Sequence, residues 1–251
     1  MNWAYLGWGF IGFSALTLIV LTLLFKFKPI YPIRRMMAVE AWQDAARAAI
    51  EQGQDRQIVL GHDLWSQATP GVGLVSLASL SASINPENVL DDRLTVSAGE
   101  GSLLVFARQI IQGRYQDGFS TALQGAVPQV HLALPGPTPL SFSAGFLAGL
   151  THSPRPSAAL FGNYGPEALL WAESTADKGG HVFATAGSLA SQAVLYLTVR
   201  DLLIGEEIFL TPGLIETTTG SRASWAAEDL LRLALILLLV VGALLKMIGI
   251  L

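Results

Sequence analysis

The sequence contains no cysteine. That absence excludes disulfides, thiolate metal sites, iron–sulfur clusters and cysteine nucleophiles. Charge is also scarce. Asp, Glu, Lys and Arg supply 14% of the 251 residues, against roughly 25% in an ordinary soluble domain. The net charge is −4, so no basic field draws nucleic acid. Only four histidines occur, and none stands in H-x-x-x-H or H-E-x-x-H spacing, which argues against zinc. No serine sits in a G-x-S-x-G turn, so the usual hydrolase elbow is missing. "GVGLVS" and "AGEGSLLV" approach phosphate-loop patterns but match neither G-x-G-x-x-G nor G-x-x-x-x-G-K-[ST]. No catalytic set, metal site or cofactor is expected.

What the chain has in excess is apolar residues, at 51% with a mean hydropathy of +0.48. They concentrate at its two ends. Trp3 to Phe25 runs for 23 residues without a charge. At about 1.5 Å per residue that crosses a hydrocarbon core of about 30 Å. Trp3, Tyr5 and Trp8 open the run, where aromatic rings favour the interface. No basic segment precedes it and no small-x-small site follows, so it reads as an anchor and not a signal peptide. A second run spans Leu230 to Leu251, uninterrupted from Leu233 to Leu245, with Arg232 and Lys246 near its ends. It is apolar all round, as a bilayer helix is.

Lysine and arginine set the expected orientation. Lys26, Lys28, Arg34, Arg35, Arg222 and Arg232 lie on the side of the intervening domain, and Lys246 with the amino terminus on the other. The rule places residues 26–229 in the cytoplasm and both termini outside a cell (inner) membrane. The bilayer itself is thus the first expected partner.

Between the runs, Pro29 and Pro32 interrupt regular helix. Met36 to Gln52 follows as an amphipathic helix, with Met37, Ala41, Trp42, Ala45, Ala48 and Ala49 at three- and four-residue steps. From Gln57 the pattern alternates. Short β-rich runs are "QIVLG", "RLTVSA", "QVHLAL", "SAALFG" and "HVFATAG", with "DLLI" as a sixth. Helical stretches at 71–84, 101–115, 141–151, 166–178 and 189–199 separate them. Continuous apolar strands spaced by helices predict a sheet covered on both faces. The expected fold is α/β, with a mostly parallel Rossmann-like sheet of five to six strands flanked by N- and C-terminal transmembrane helices. Its parts are a transmembrane helix at 1–25, a linker and amphipathic helix at 26–56, the α/β domain at 57–229 and a transmembrane helix at 230–251.

Ligands of open α/β sheets lie beyond the carboxyl ends of the strands. The candidate ligand residues there are His62, Asp63, Gly99, Glu100, Gly162, Glu167, Gly187 and Glu206. His62 and Asp63 serve either as an acid/base pair or as turn and cap residues. The glycines admit close backbone approach, to a ligand or to the next helix. Ser97, Ser102 and Ser188 stand in glycine-rich turns. His131 falls inside a strand, His152 in the Pro-rich turn "THSPRPS" and His181 at a strand start. Glu167 suits the positive end of a helix, and a 120° offset separates it from Glu173 at about 100° per residue. "IGEE" puts Glu206 and Glu207 in the first turn of a helix, which the macrodipole favours. Adjacent helical side chains diverge by about 100°, so the two do not face one metal.

"GNYGPEALLWAE", "ATAGS" and "LIGEEIF", the last ahead of a C-terminal hydrophobic run, resemble a family of bacterial two-span membrane proteins described as a domain of unknown function. The resemblance extends from about Trp42 to the end. It implies a membrane-bound α/β domain and no particular activity. The leading expectation is a non-enzymatic, membrane-anchored scaffold that forms homo-oligomers and meets other membrane proteins. The alternatives are a tethered Rossmann-like small-molecule or nucleotide-binding module or enzyme, and an accessory subunit of a transport or secretion complex.

Overall fold

The computed structural model describes residues 8, 12, 14–23, 36–65, 68–85, 93–122, 130–150 and 155–247. It divides into two compact units, Arg35–Glu216 and a second made of Met1–Arg34 with Thr217–Leu251. In chain order the elements are α1 (residues 14–23), α2 (Met37–Glu51), β1 (Asp55–Leu60), α3 (Val72–Ser83), β2 (Arg93–Ala98), α4 (Gly101–Ala122) and β3 (Val130–Ala133). They continue as α5 (Pro139–Leu150), β4 (Ser157–Gly162), α6 (Ala168–Asp177), β5 (His181–Ala186), α7 (Leu189–Thr198), β6 (Asp201–Leu203), α8 (Glu207–Ile215) and α9 (Thr219–Met247).

In the larger unit the six strands form one sheet in the order β3-β2-β1-β4-β5-β6, and all five pairings are parallel. This is the doubly wound order, with its topological switch between β1 and β4. The strands run buried because both faces are covered. β4 (SAALFG) is buried at every position, and β1 (DRQIVL) at all but its first. Successive side chains feed opposite cores, as the two-residue strand period requires. Ile58 and Leu60 enter one cluster with Trp42, Leu80, Leu103 and Phe161. Val59 enters the other with Phe142, Leu160, Trp171 and Leu195. The first core lies under α2, α3, α4 and α8, the second under α5, α6 and α7.

Each core has an aromatic centre. Trp42 stacks on Phe183 at 5.5 Å and meets Phe161 edge-on at 6.0 Å. Trp171 is fully buried against Phe142, Phe146 and Tyr164, and its indole N–H donates to Ser143 Oγ at 3.0 Å. The amphipathic helix α2 buries Val39, Trp42, Ala46 and Ala49. Its apolar face is rotated from the predicted one: Met37 is exposed, because Val39 and Ala46 complete the stripe through Trp42.

In the smaller unit, α9 begins at Thr219, where the hydroxyls of Thr218 and Ser221 each accept the other's backbone N–H, at 3.1 and 3.0 Å. Ala223 and Ala226 of α9 are buried, with Leu21 of α1 packed against them. Leu233, Ile236, Leu239 and Val240 further along α9 are exposed, as are Leu16, Ile19 and Leu23 of α1. Among the described residues no helix is long and apolar enough to cross a membrane. Much of the Trp3–Phe25 run lies outside the described residues, as do the side chains of 237, 238 and 241–251, so the flanking transmembrane helices of the sequence reading find no support in the fold. Lys26 to Arg35, with Pro29 and Pro32, and His152 in its turn also lie outside them.

Candidate functional site: the carboxyl ends of β1, β2 and β4

Three strand ends meet at the switch point. There β1 and β4 do not part to leave a crevice. Gly61 N donates to Phe161 O at 3.1 Å, and His62 N to Asn163 O at 2.8 Å, making an antiparallel bridge just past the parallel pairing. The glycines allow this closure. A Cβ on Gly61 would lie 2.1 Å from Asn163 O, and one on Gly187 would lie 2.1 Å from Asn163 Oδ1. Gly162 has a φ of 133°, open only to glycine at little cost, and its amide neighbourhood is again Gly61. A Cβ on Gly99 would fall 2.1 Å from His62 Nδ1. These glycines therefore receive the protein's own chain.

Glu100 holds the centre of this cluster. Its Oε2 accepts the Leu64 amide at 3.0 Å, and its Oε1 accepts the Ser102 hydroxyl. The Ser102 bond, then the Leu64 and Asp63 amides and the nearby His62, hold its carboxyl below the usual range, against the opposing effect of burial. Asp63 itself sits at φ 59°, the one non-glycine residue at positive φ among the described residues. Such conformations cost about 1–3 kcal/mol and gather at functional or tightly determined positions. Here the turn aims the amides of residues 63 and 64 at a carboxylate. In dinucleotide-binding sheets of this strand order, amides at the end of the first strand face a phosphate. In this chain a glutamate of the neighbouring turn takes that place.

Two buried nitrogens of this cluster have no hydrogen-bond partner among the described residues. Asn163 is 8% exposed, its Oδ1 accepts the Thr69 hydroxyl at 2.8 Å, and its buried Nδ2 has no hydrogen bond. Because Thr69 occupies the carbonyl side, Nδ2 is left as a pure donor. The buried Nε2 of His62 is also unpartnered, and the ring meets Phe142 edge-on at 5.2 Å. Below them the Tyr164 hydroxyl donates to Val59 O at 2.6 Å, and burial pushes its pKa well up.

The fold thus gathers His62, Asp63, Gly99, Glu100, Gly162 and Gly187. Glu167 stands apart in its own turn, where Oε1 accepts the Gly165 amide at 2.8 Å. Glu206 lies beyond β6 at the N-cap of α8, without a side-chain cap bond, after Gly205 at φ 65°. Glu207 occupies the first turn of α8, as the macrodipole reading of "IGEE" requires. Among the described residues no group of three or more His, Cys, Asp or Glu side chains is placed to hold a metal. Sequence reasoning passed over Asn163 and Thr69. The signal was the polar residue directly after the apolar strand in "LFGNYG".

A family model described as Domain of unknown function (DUF6754) matches residues 8–251. The chain belongs to the DUF6754 family. Neither a curated protein nor a solved structure matches it. The residues at the switch point make a hydrogen-bonded junction with one spare amide donor, Asn163 Nδ2, and one unpartnered ring nitrogen, His62 Nε2.

Proposed function

We propose that this DUF6754 chain is a membrane-anchored, non-enzymatic scaffold that assembles as homo-oligomers. One observation carries the reading. On α7, Leu189, Tyr196 and Leu197 are 82%, 70% and 82% exposed, in line with exposed Ala193, while Ser191, Gln192 and Leu195 are buried on the opposite side. A helix that has buried one face and still presents large apolar side chains on the other is suited to a protein partner. Leu140 of α5 and Val105 of α4 add exposed apolar surface on the other half of the sheet.

The two apolar runs supply the anchors. The exposed leucines of α1 and α9 favour lipid over a protein core as their surroundings. Leu21 against Ala223 and Ala226 is the small-residue packing that lets helices approach closely in a bilayer. With the basic residues on its flanks, the α/β domain is cytoplasmic and both termini are outside. Mass photometry of the detergent-solubilised full chain tests the assembly. The expected particle is larger than one chain with its micelle, and a strict monomer at micromolar concentration refutes it.

A second reading is favoured by the orphaned Asn163 Nδ2 and His62 Nε2. A spare amide donor and an imidazole nitrogen of either role, beside Asp63 and Glu100, suit an uncharged molecule with carbonyl or hydroxyl groups, and disfavour a phosphate. Thermal-shift screening with nucleosides, nucleotides and neutral metabolites separates the readings. Stabilisation abolished by Asn163→Ala supports the binding module, and no shift with any compound removes it.

A further inference from the structure

The sheet ends at β6, whose inner side pairs with β5 and whose outer side meets no strand among the described residues. A groove of about 860 Å³ runs along that edge. Its floor is β6 and the first residues of β5. Its walls are the start of α2, with Met37 and Ala41, and the end of α7 with the turn after it, at Thr198 and Arg200. An edge strand offers a row of unpaired N–H and C=O groups, and natural proteins blunt such edges with lysine, proline or bulges. Here β6 is short, three residues, and carries one charge, Asp201, but neither lysine nor proline.

We propose that the β6 edge is the docking surface for a second copy of this chain, whose own β6 pairs antiparallel to the first about a two-fold axis. This rests on the homo-oligomer reading and names the surface that forms it. Charge selects the occupant. Arg200 is exposed and makes no ion pair among the described residues, while Asp201 and Glu207 line the same groove. A rim with both signs is complementary to itself: an antiparallel pair centred on Leu202 sets each Arg200 opposite Ile204 of the other copy, close in sequence to its Glu206 and Glu207. Three carboxylates, Asp201, Glu206 and Glu207, against one arginine repel an anionic lipid surface. A small polar ligand finds few open groups, because Asp201 Oδ2 is already bonded to His181 Nε2 at 2.9 Å. Met37, which lines the groove, is exposed in one copy and is covered in the proposed pair.

The natural absence of cysteine makes the test direct. Single cysteines at Arg200, Leu202 and, as a control on α4, Val105 are introduced into the full chain in detergent and in vesicles. A short thiol-to-thiol reagent should give a covalent dimer at Leu202→Cys, a weaker one at Arg200→Cys and none at Val105→Cys. Arg200→Glu, on an exposed side chain, should raise the dimer dissociation constant about tenfold without moving the melting temperature. Oligomers that persist with no cross-link at β6, or with one at Val105→Cys, overturn the β6 interface and leave the homo-oligomer standing. A chain that is monomeric before any substitution overturns both.

Discussion

Replacing Gly61 by alanine probes whether the switch point is a stitched junction or an open crevice. The new Cβ would lie 2.1 Å from Asn163 O, 2.5 Å from Asn163 N and 2.7 Å from Asn163 C, where ordinary contact begins at 3.4 Å. Relief along the shortest line needs 3.4 − 2.1 = 1.3 Å of separation between two backbones. Added to the 2.8 Å bond from His62 N to Asn163 O, that movement gives 4.1 Å, and the bond is gone. Leaving a buried backbone group unpaired costs about 1–3 kcal/mol. Overpacking adds about 1–3 kcal/mol. The sum, about 2–6 kcal/mol, is a large part of the 5–15 kcal/mol that is typical of a domain, by order of magnitude about half. Gly113 in α4 is the internal control, since a Cβ there meets nothing within 4 Å. Gly113→Ala should stabilise by about 0.5–1 kcal/mol, because helix interiors favour alanine. Urea unfolding in detergent, followed by the fluorescence of buried Trp42 and Trp171, reads both. A Gly61→Ala protein within about 0.5 kcal/mol of the parent would refute the stitched junction and return these glycines to a ligand.

Three further outcomes are expected. Glu100→Gln should lower stability by about 1 kcal/mol, a charged hydrogen bond discounted for partial exposure. The Glu100 carboxyl is held below its ordinary value in the folded chain. Its contribution is therefore full above the ordinary carboxylate range and fades as pH falls through the folded value, so parent and variant should converge in acid when melted at a series of pH values. Trp171→Ala should cost about 3–5 kcal/mol by the same unfolding assay, since the ring fills the centre of the second core. Tyr164→Phe should cost about 1–2 kcal/mol by thermal melting, because Val59 O is buried and loses its donor.

The strands were legible because burial on both faces leaves a strong mark. Each of the six apolar runs became a strand within two residues of its predicted limits, and the parallel sheet followed from the helices between them. Helix ends were less legible. α4 continues to Ala122, beyond the predicted Tyr115, and α9 starts at Thr219, well before the apolar run at Leu230. Hydropathy marks only the apolar part of α9. Its first turns carry small residues, Ala223 and Ala226, whose burial depends on Leu21, about 200 positions earlier. The switch point was half legible. Strand-end logic reached His62, Asp63 and Glu100. It could not reach Asn163, because the bridge to His62 joins residues about a hundred positions apart, and no local pattern encodes that pairing.

The sheet order alone invites a dinucleotide, and the residues at its switch point answer differently. A phosphate seat needs free amides and no competing anion. Here the Leu64 amide is 3.0 Å from the Glu100 carboxylate, Asp63 contributes a second amide, and Ser102 secures the other oxygen. An arriving phosphate would have to displace a carboxylate that its own neighbours keep ionised. The backbone on the far side has closed over the gap through Gly61, Gly162 and Gly187. The strand order is that of nucleotide-binding sheets, while a glutamate of this chain stands where such sheets seat an anion. What stays uncovered is the β6 edge and the apolar face of α7 beside it. Under the proposed self-association the contact lies along the side of the sheet, where another copy of the chain would offer the same polar edge and the same mixed-charge rim.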